Sequence, residues 1–221
     1  MFKHILITLA LMSGLISLQV QAQIIDTVAK NALLMDAETG TILLDKNSDQ
    51  SFPPASMSKL MTIYMAFDQI KQGQASLQDE ITITNDQWRR WRALYKNEGS
   101  TMFLGVDDTV TLEDLLRGVI VLSGNDASIA IAEHLAGDEA AFAAWMNEKA
   151  IEIGLKDSHF VNSTGWPADG HEMSARDLAH LSYLLVTKFP DLYSMFGESS
   201  FLYKNLTGNQ HNRNPLLGTF D

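Results

Sequence analysis

Apolar residues along this chain come first in short strand-like runs and later in helical periods. Ala32 to Asp36 and Gly40 to Leu44 are β-type runs, and the turn sequence Asp36-Ala-Glu-Thr-Gly40 between them predicts a β-hairpin. Pro53 and Pro54 end any extended segment and favour a fresh element. After them, Met57, Leu60, Met61, Tyr64 and Met65 recur at the spacing of one buried helical face, with the methionines as core filler. Ile81 to Thr84 reads as a small strand, and residues 88 to 104 as a surface helix plus loop. Thr111-Leu-Glu-Asp114 is a capping box opening a helix through about Leu122. Ser123-Gly-Asn125 interrupts the apolar pattern, which resumes from Asp126 to Leu135 and stops at Gly137. A third helix over about 139 to 152 closes at Gly154, and Ser174-Ala-Arg-Asp177 is a second capping box leading to about Lys188. Strands first and helices afterwards predict an α+β domain whose sheet lacks some strands, rather than a regular βαβ repeat.

The N-terminus changes where this domain is expected to work. Lys3 precedes an uncharged, mostly apolar run from Ile5 to Val20, closed by Val20-Gln21-Ala22, the layout of a secretory signal peptide cut after Ala22. Residues 23–221 are then expected to be the exported part of the chain. Cysteine is absent, which excludes both a disulfide framework and thiol catalysis. The whole chain carries a net charge of -11; without residues 1–22 it keeps 15 basic and 27 acidic residues. Such acidity argues against nucleic acid as a partner, despite Trp88, Trp91 and Tyr95 lying among basic residues.

Chemistry concentrates in two short segments. Ser56-Met-Ser-Lys59 sets a serine and a lysine three residues apart at the start of an amphipathic helix, so one turn brings both to the same side. Serine is a weak nucleophile until a base takes its proton, and lysine is that base only when burial or neighbouring positive charge lowers its pKa. On its own the pair also arises by chance on surfaces. Of the two serines, only Ser56 has a lysine one turn on; Ser58 is a neutral neighbour. Ser123-Gly124-Asn125 adds a hydroxyl and an amide at a polar corner between apolar helices, although a plain helix-breaking turn with Asn125 as cap fits the same residues. The histidines have no metal-ligand spacing, so no metal and no cofactor is expected, and neither a G-x-S-x-G elbow nor a phosphate loop occurs.

S-x-x-K followed by S-x-N resembles the penicillin-recognising serine hydrolases, and within them the low-molecular-mass D-alanyl-D-alanine carboxypeptidases. The resemblance is carried by Leu34-Met-Asp-Ala-Glu-Thr-Gly40, Pro54-Ala-Ser-Met-Ser-Lys-Leu-Met-Thr62, Leu115-Leu-Arg-Gly118 with Ser123-Gly-Asn-Asp-Ala127, His159-Phe-Val-Asn-Ser-Thr-Gly165, Ser174-Ala-Arg-Asp177 and Asn212-Arg-Asn-Pro-Leu-Leu217. It implies a penicillin-binding/β-lactamase-like domain, Ser56 as nucleophile and Lys59 as general base. Ser123 would assist proton transfer and Asn125 would bind the substrate amide. Gly124 would keep the corner tight, and Asp177 and Arg213 would support the site. The implied partners are peptidoglycan stem peptides, which lose their terminal D-alanine, and β-lactams, which acylate the same serine.

One departure is large. No lysine in the chain is followed by Thr or Ser and then Gly, so the family's third motif, Lys-Thr-Gly, is missing. It would fall just past Asp221, and the chain reads as a truncated product. Because that strand contributes an oxyanion donor, typically worth about 3 kcal/mol, the 221 residues alone are expected to be inactive or poorly folded. A β-rich domain and an amphipathic anchor giving membrane association at the inner membrane would also lie beyond this end. The competing readings are a D,D-endopeptidase acting on cross-links, a non-catalytic penicillin- or peptidoglycan-binding protein, and a β-lactamase. The last lacks its expected Glu-x-x-Leu-Asn segment.

Overall fold

The computed structural model describes residues 27–95, 98–204 and 210–218. The expected leader and its expected cleavage site after Ala22 lie outside these residues. The chain opens with strands β1 (Ala32–Met35) and β2 (Ile42–Lys46), an antiparallel hairpin pairing Leu34 with Leu44, with the register slipping between Leu34 and Met35. Asp36 fixes the turn by accepting from the Glu38 and Thr39 amides and the Thr39 hydroxyl. A 3-10 turn (Ala55–Ser58) then leads into α1 (Lys59–Lys71). Next come β3 (Glu80–Thr82), α2 (Asn85–Tyr95) and β4 (Thr109–Thr111), followed by α3 (Leu112–Leu122), α4 (Asn125–Ala136) and α5 (Glu139–Ile153). Last are α6 (Ala175–Lys188), the one-turn α7 (Pro190–Tyr193) and a 3-10 turn at Ser194–Gly197. Among the described residues, two separate two-stranded ladders beside a helical body make a helix-rich α+β domain.

Helix α1 is the axle. It touches α3, α4, α5 and α6, and every residue from Met61 to Phe67 is buried. The expected single buried face therefore needs correcting. Met57 is 49% exposed because it belongs to the 3-10 turn, whose threefold repeat rotates it off the helical stripe. Leu60 is only partly buried, while Ile63, Ala66 and Phe67, outside that stripe, are in the core. Burying a Met, Ile or Phe side chain contributes roughly 1.5–3 kcal/mol, so α1 is held as a rigid support for whatever its first turn presents.

The capping boxes form as the spacing predicts on their first side: Thr111 Oγ1 accepts from Asp114 N at 3.1 Å and Ser174 Oγ from Asp177 N at 3.1 Å. The small strand runs from Glu80 to Thr82 rather than to Thr84, and its partner β4 ends on Thr111, the first residue of the capping box of α3. The segment taken as surface helix plus loop contains Trp91, which is 4% exposed and donates to the buried Glu133 carboxylate at 3.3 Å. Arg176 docks the hairpin on α6 through Asp45 (2.6 Å) and Asp49.

Helices α3 and α4 approach closely at Gly118, where an added Cβ would lie 2.4 Å from Met102 Sδ and 3.3 Å from Ala127 Cβ. Helix propensity alone favours Gly→Ala by about 1 kcal/mol. Overpacking a fully buried contact costs about 1–3 kcal/mol and should win. Gly118→Ala is therefore expected to lower the urea midpoint with an unchanged m-value, and a raised midpoint would show that this helix contact yields freely.

Candidate active site

The local backbone does more than the spacing of Ser56 and Lys59 suggests. Ala55 is held in the left-handed region (φ 49°), and Ser56 lies in the 3-10 turn rather than in α1 itself. Side chains at i and i+3 of a 3-10 turn eclipse one another, which aligns Ser56 with Lys59 more directly than an α-helical turn. Ser56 is exposed, while Lys59 is 3% exposed, and their Oγ and Nζ atoms are 3.2 Å apart.

Lys59 Nζ also reaches Asn125 Oδ1 at 2.8 Å and the Thr164 carbonyl at 2.5 Å. Both oxygens can only accept, so each takes one N–H of the lysine amine. A neutral amine with two of its hydrogens so engaged directs its lone pair toward the remaining neighbour, the Ser56 hydroxyl. Burial, then the positive charge of Arg213, lowers the Lys59 pKa to about 8, against an opposing pull from Asp126. A neutral fraction of roughly one in ten is then present at pH 7, far more than an ordinary lysine offers.

Asn125 opens α4, and its amide nitrogen Nδ2 has no hydrogen-bond partner among the described residues. Gly99 (φ +82°) passes so close that a Cβ there would meet Nδ2 at 2.8 Å. Ser123 takes the left-handed conformation (φ 57°), which costs a non-glycine residue about 1–2 kcal/mol. It is held by its own N–H bonding Val119 O and the Gly124 N–H bonding Gly118 O, both at 3.0 Å. A Cβ at Gly124 would press on Asp126 Oδ1, Met102 N and Gly118 O within 3.1–3.3 Å, so a larger residue between the two polar side chains requires those neighbours to shift. Ser123 thus stands at the same corner as Asn125, with its hydroxyl free of hydrogen bonds among the described residues.

Two supports and one buried hydroxyl were not legible from the motifs. The first is the segment carrying Thr164. Asn162 Oδ1 accepts from Thr164 N, Thr164 Oγ1 and Gly165 N at 2.8–3.1 Å, and Glu139 Oε1 accepts from Ser163 N (3.1 Å) and Oγ (2.6 Å). The buried Thr62 hydroxyl donates to Ser163 O at 2.7 Å, tying the segment to α1. Upstream, the Val161 N–H bonds Nδ1 of buried His171 at 3.2 Å; burial, then the charges of His159 and Lys59, pushes His171 down to about 4, so it is neutral at pH 7. The second support is Asp126, whose carboxylate accepts from Thr101 Oγ1 (2.6 Å), Met102 N (2.8 Å) and Leu104 N (3.0 Å), fixing the 101–104 loop beside Asn125. The hydroxyl is that of Ser58, wholly buried and with no partner among the described residues.

Of the remaining expected residues, Arg213 lies over the α3–α4 corner, within 3.4 Å of Ser100 Oγ and 3.3 Å of Leu122 O. Asp177 touches none of Ser56, Lys59, Ser123 or Asn125. Its carboxylate accepts from Lys156 N, Asp157 N and Ser158 Oγ at 2.7–3.2 Å, anchoring the stretch that leads to Thr164. The arrangement can activate a serine hydroxyl and donate a hydrogen bond to a bound amide beside it.

Residues 18–220 match the D-alanyl-D-alanine carboxypeptidase family. The chain is 37% identical over 189 residues to the D-alanyl-D-alanine carboxypeptidase DacA of Escherichia coli, covering 86% of this chain and 46% of that protein. It is 40% identical over 185 residues to DacD of Salmonella typhimurium, covering 84% and 47%. The chain thus spans about half the length of these relatives. Penicillin binding protein 6B from Escherichia coli superposes with a TM-score of 0.80 at 37% identity, over 88% of this chain and 61% of that one.

Gly165 makes the geometry testable. Its φ is +76°, and an added Cβ would lie 1.9 Å from the Ala55 carbonyl, on the residue before Ser56. Gly165→Ala must displace either the Thr164 carbonyl or the 3-10 turn. It is expected to cut labelling of Ser56 by a fluorophosphonate at least tenfold, on the scale of a misplaced reacting group, with the circular dichroism spectrum retained. Unchanged labelling would mean that Thr164 does not set the lysine.

Proposed function

The chain belongs to the D-alanyl-D-alanine carboxypeptidase family, and on that premise we propose that it is the catalytic part of a serine-type D-Ala-D-Ala carboxypeptidase of the bacterial cell wall. The observation that carries this reading is the three-way environment of Lys59 Nζ: two fixed acceptors and the Ser56 hydroxyl.

Ser56 Oγ attacks the carbonyl joining the two terminal D-alanines of a peptidoglycan stem peptide. Its proton passes to Lys59 Nζ as the C–O bond forms. When the tetrahedral intermediate collapses, the C–N bond breaks and the proton returns to the departing amine, with the Ser123 hydroxyl assisting. Free D-alanine leaves, and water then hydrolyses the Ser56 ester. Asn125 offers Nδ2 to the substrate amide while its Oδ1 holds the lysine, so one side chain couples substrate position to the base. A β-lactam presents a strained amide to the same serine and forms a covalent ester there. The protein is exported, with residues 23–221 acting in the periplasm at the face of the inner membrane. Family membership favours the carboxypeptidase over the endopeptidase reading.

The direct assay is D-alanine release from diacetyl-lysyl-D-alanyl-D-alanine by the full-length gene product. Release is expected from the parent and none from Ser56→Ala. Lys59→Met, which preserves bulk but removes the base, is expected to lower kcat/KM by about 10²–10⁴. No release by a folded parent, or a Lys59→Met variant as fast as the parent, would overturn the proposal.

A further inference from the structure

Helix α2 carries a concentration of positive charge that the mechanism above does not use. The chain has a net charge of -11, yet three of its six arginines, Arg89, Arg90 and Arg92, fall within four positions of this one helix. Arg117 and Arg176, elsewhere, each sit between acids. On α2 only Arg90 does so, bonding Asp86 and the buried Glu133, both at 3.1 Å. Arg89 is exposed and, among the described residues, makes no ion pair, hydrogen bond or ring contact. Arg92, one turn on and also exposed, makes only a stack on the Trp88 ring, 4.5 Å from its centroid. A guanidinium held by its face keeps the N–H donors along its edge available. Like charges one turn apart repel, and nothing local offsets that here. The helix itself is fixed at the rim of the reacting corner. Gln87, Arg90 and Trp91 all bond the Glu133 carboxylate of α4, the helix that Asn125 opens.

We propose that Arg89 and Arg92 form an exosite, outside the reacting cleft, for the carboxylates of neighbouring peptides on the wall polymer, so that the enzyme is held on a surface presenting many copies of its substrate. This rests on the carboxypeptidase reading of Ser56, whose substrate ends in a carboxylate. Two unpaired guanidiniums one turn apart suit closely spaced carboxylates, which arginine binds through paired N–H donors. The acidic remainder of the chain is repelled by such a polymer, so a single positive face at the rim also turns the cleft toward it on approach. A lipid surface suits the helix less. An interfacial helix buries a face of Trp, Phe or Leu in the membrane. Here Trp91 is in the core, Trp88 lies under Arg92, and Leu94 is the one large apolar side chain exposed among the described residues of α2.

The test compares D-alanine release by the full-length gene product from purified, pentapeptide-rich sacculi and from diacetyl-lysyl-D-alanyl-D-alanine. The double variant Arg89→Ala/Arg92→Ala should lower the sacculus-to-peptide rate ratio roughly fivefold, the scale of two exposed charge contacts. Arg89→Lys/Arg92→Lys should retain most of the ratio. Raising NaCl from about 50 to about 500 mM should lower the parent's ratio and leave that of the double alanine variant nearly unchanged. Because each reading is a ratio within one variant, a general loss of folded protein does not mimic the effect. The Ser56→Ala form, which binds without turnover, should sediment with sacculi and lose this when both arginines are also replaced by alanine. An unchanged ratio in the double variant, or sedimentation insensitive to it, would overturn the exosite. So would arginine-dependent sedimentation with phosphatidylglycerol vesicles and none with sacculi, which would assign the helix to a membrane surface instead. Release from the short peptide alongside an unchanged ratio removes the exosite alone. No release from either substrate by a folded parent removes the carboxypeptidase reading and the exosite with it.

Discussion

A primary amine buried at the start of α1 is the constraint around which the rest of the structure is arranged. Taking a lysine out of water favours its neutral form, yet a neutral amine still has two hydrogens that require acceptors. Asn125 Oδ1 and the Thr164 carbonyl meet that need from two elements far apart in sequence. The axle-like burial of α1 from Met61 to Phe67 fixes where the amine emerges, and the 3-10 turn before it fixes where the serine stands. Arg213 adds positive charge that pushes the same equilibrium further toward the base.

The supporting residues act by pinning backbone rather than by touching the reacting atoms. Glu139 holds Ser163, Asn162 holds Thr164 and Gly165, and Asp177 holds the stretch at 156–158 upstream of them. Asp126 does the same for 101–104. Two left-handed residues, Ala55 and Ser123, directly precede Ser56 and the Gly124–Asn125 corner in the chain. Each costs conformational energy and is tolerated because several hydrogen bonds or close contacts over-determine it. Substitutions at the pinning residues thus reach the chemistry indirectly, through the position of a carbonyl or a corner.

Much of this was legible in the amino-acid sequence where side chains carry the signal. The capping boxes at Thr111 and Ser174, the interruption at Ser123-Gly-Asn125 and the Ser56–Lys59 spacing all correspond to local structure. What escaped was carried by backbone. The Thr164 carbonyl leaves no residue-type signature, since any residue supplies one. The loop beside Asn125 reads as plain surface in the sequence because Gly99 and Leu104 gain their meaning only from contacts with α4. Met57 was assigned to a buried stripe because periodicity extrapolates an α-helix through a turn that is 3-10. Strand β4 was too short, at Thr109–Thr111, to separate from the cap that follows it.

The central claim is that buried Lys59, with its pKa near 8, is the base that activates Ser56. The pH dependence of Ser56 acylation by a β-lactam, measured by mass spectrometry of the adduct under single-turnover conditions, tests it most directly. A group that must be deprotonated gives a rate rising about tenfold per pH unit below its pKa and levelling above it, here with the break near pH 8. Removing the Arg213 charge should move that break upward, because a neighbouring cation disfavours the protonated lysine. A rate that stays flat from about pH 6 to about pH 9, or a break that does not respond to Arg213→Ala, would contradict the account.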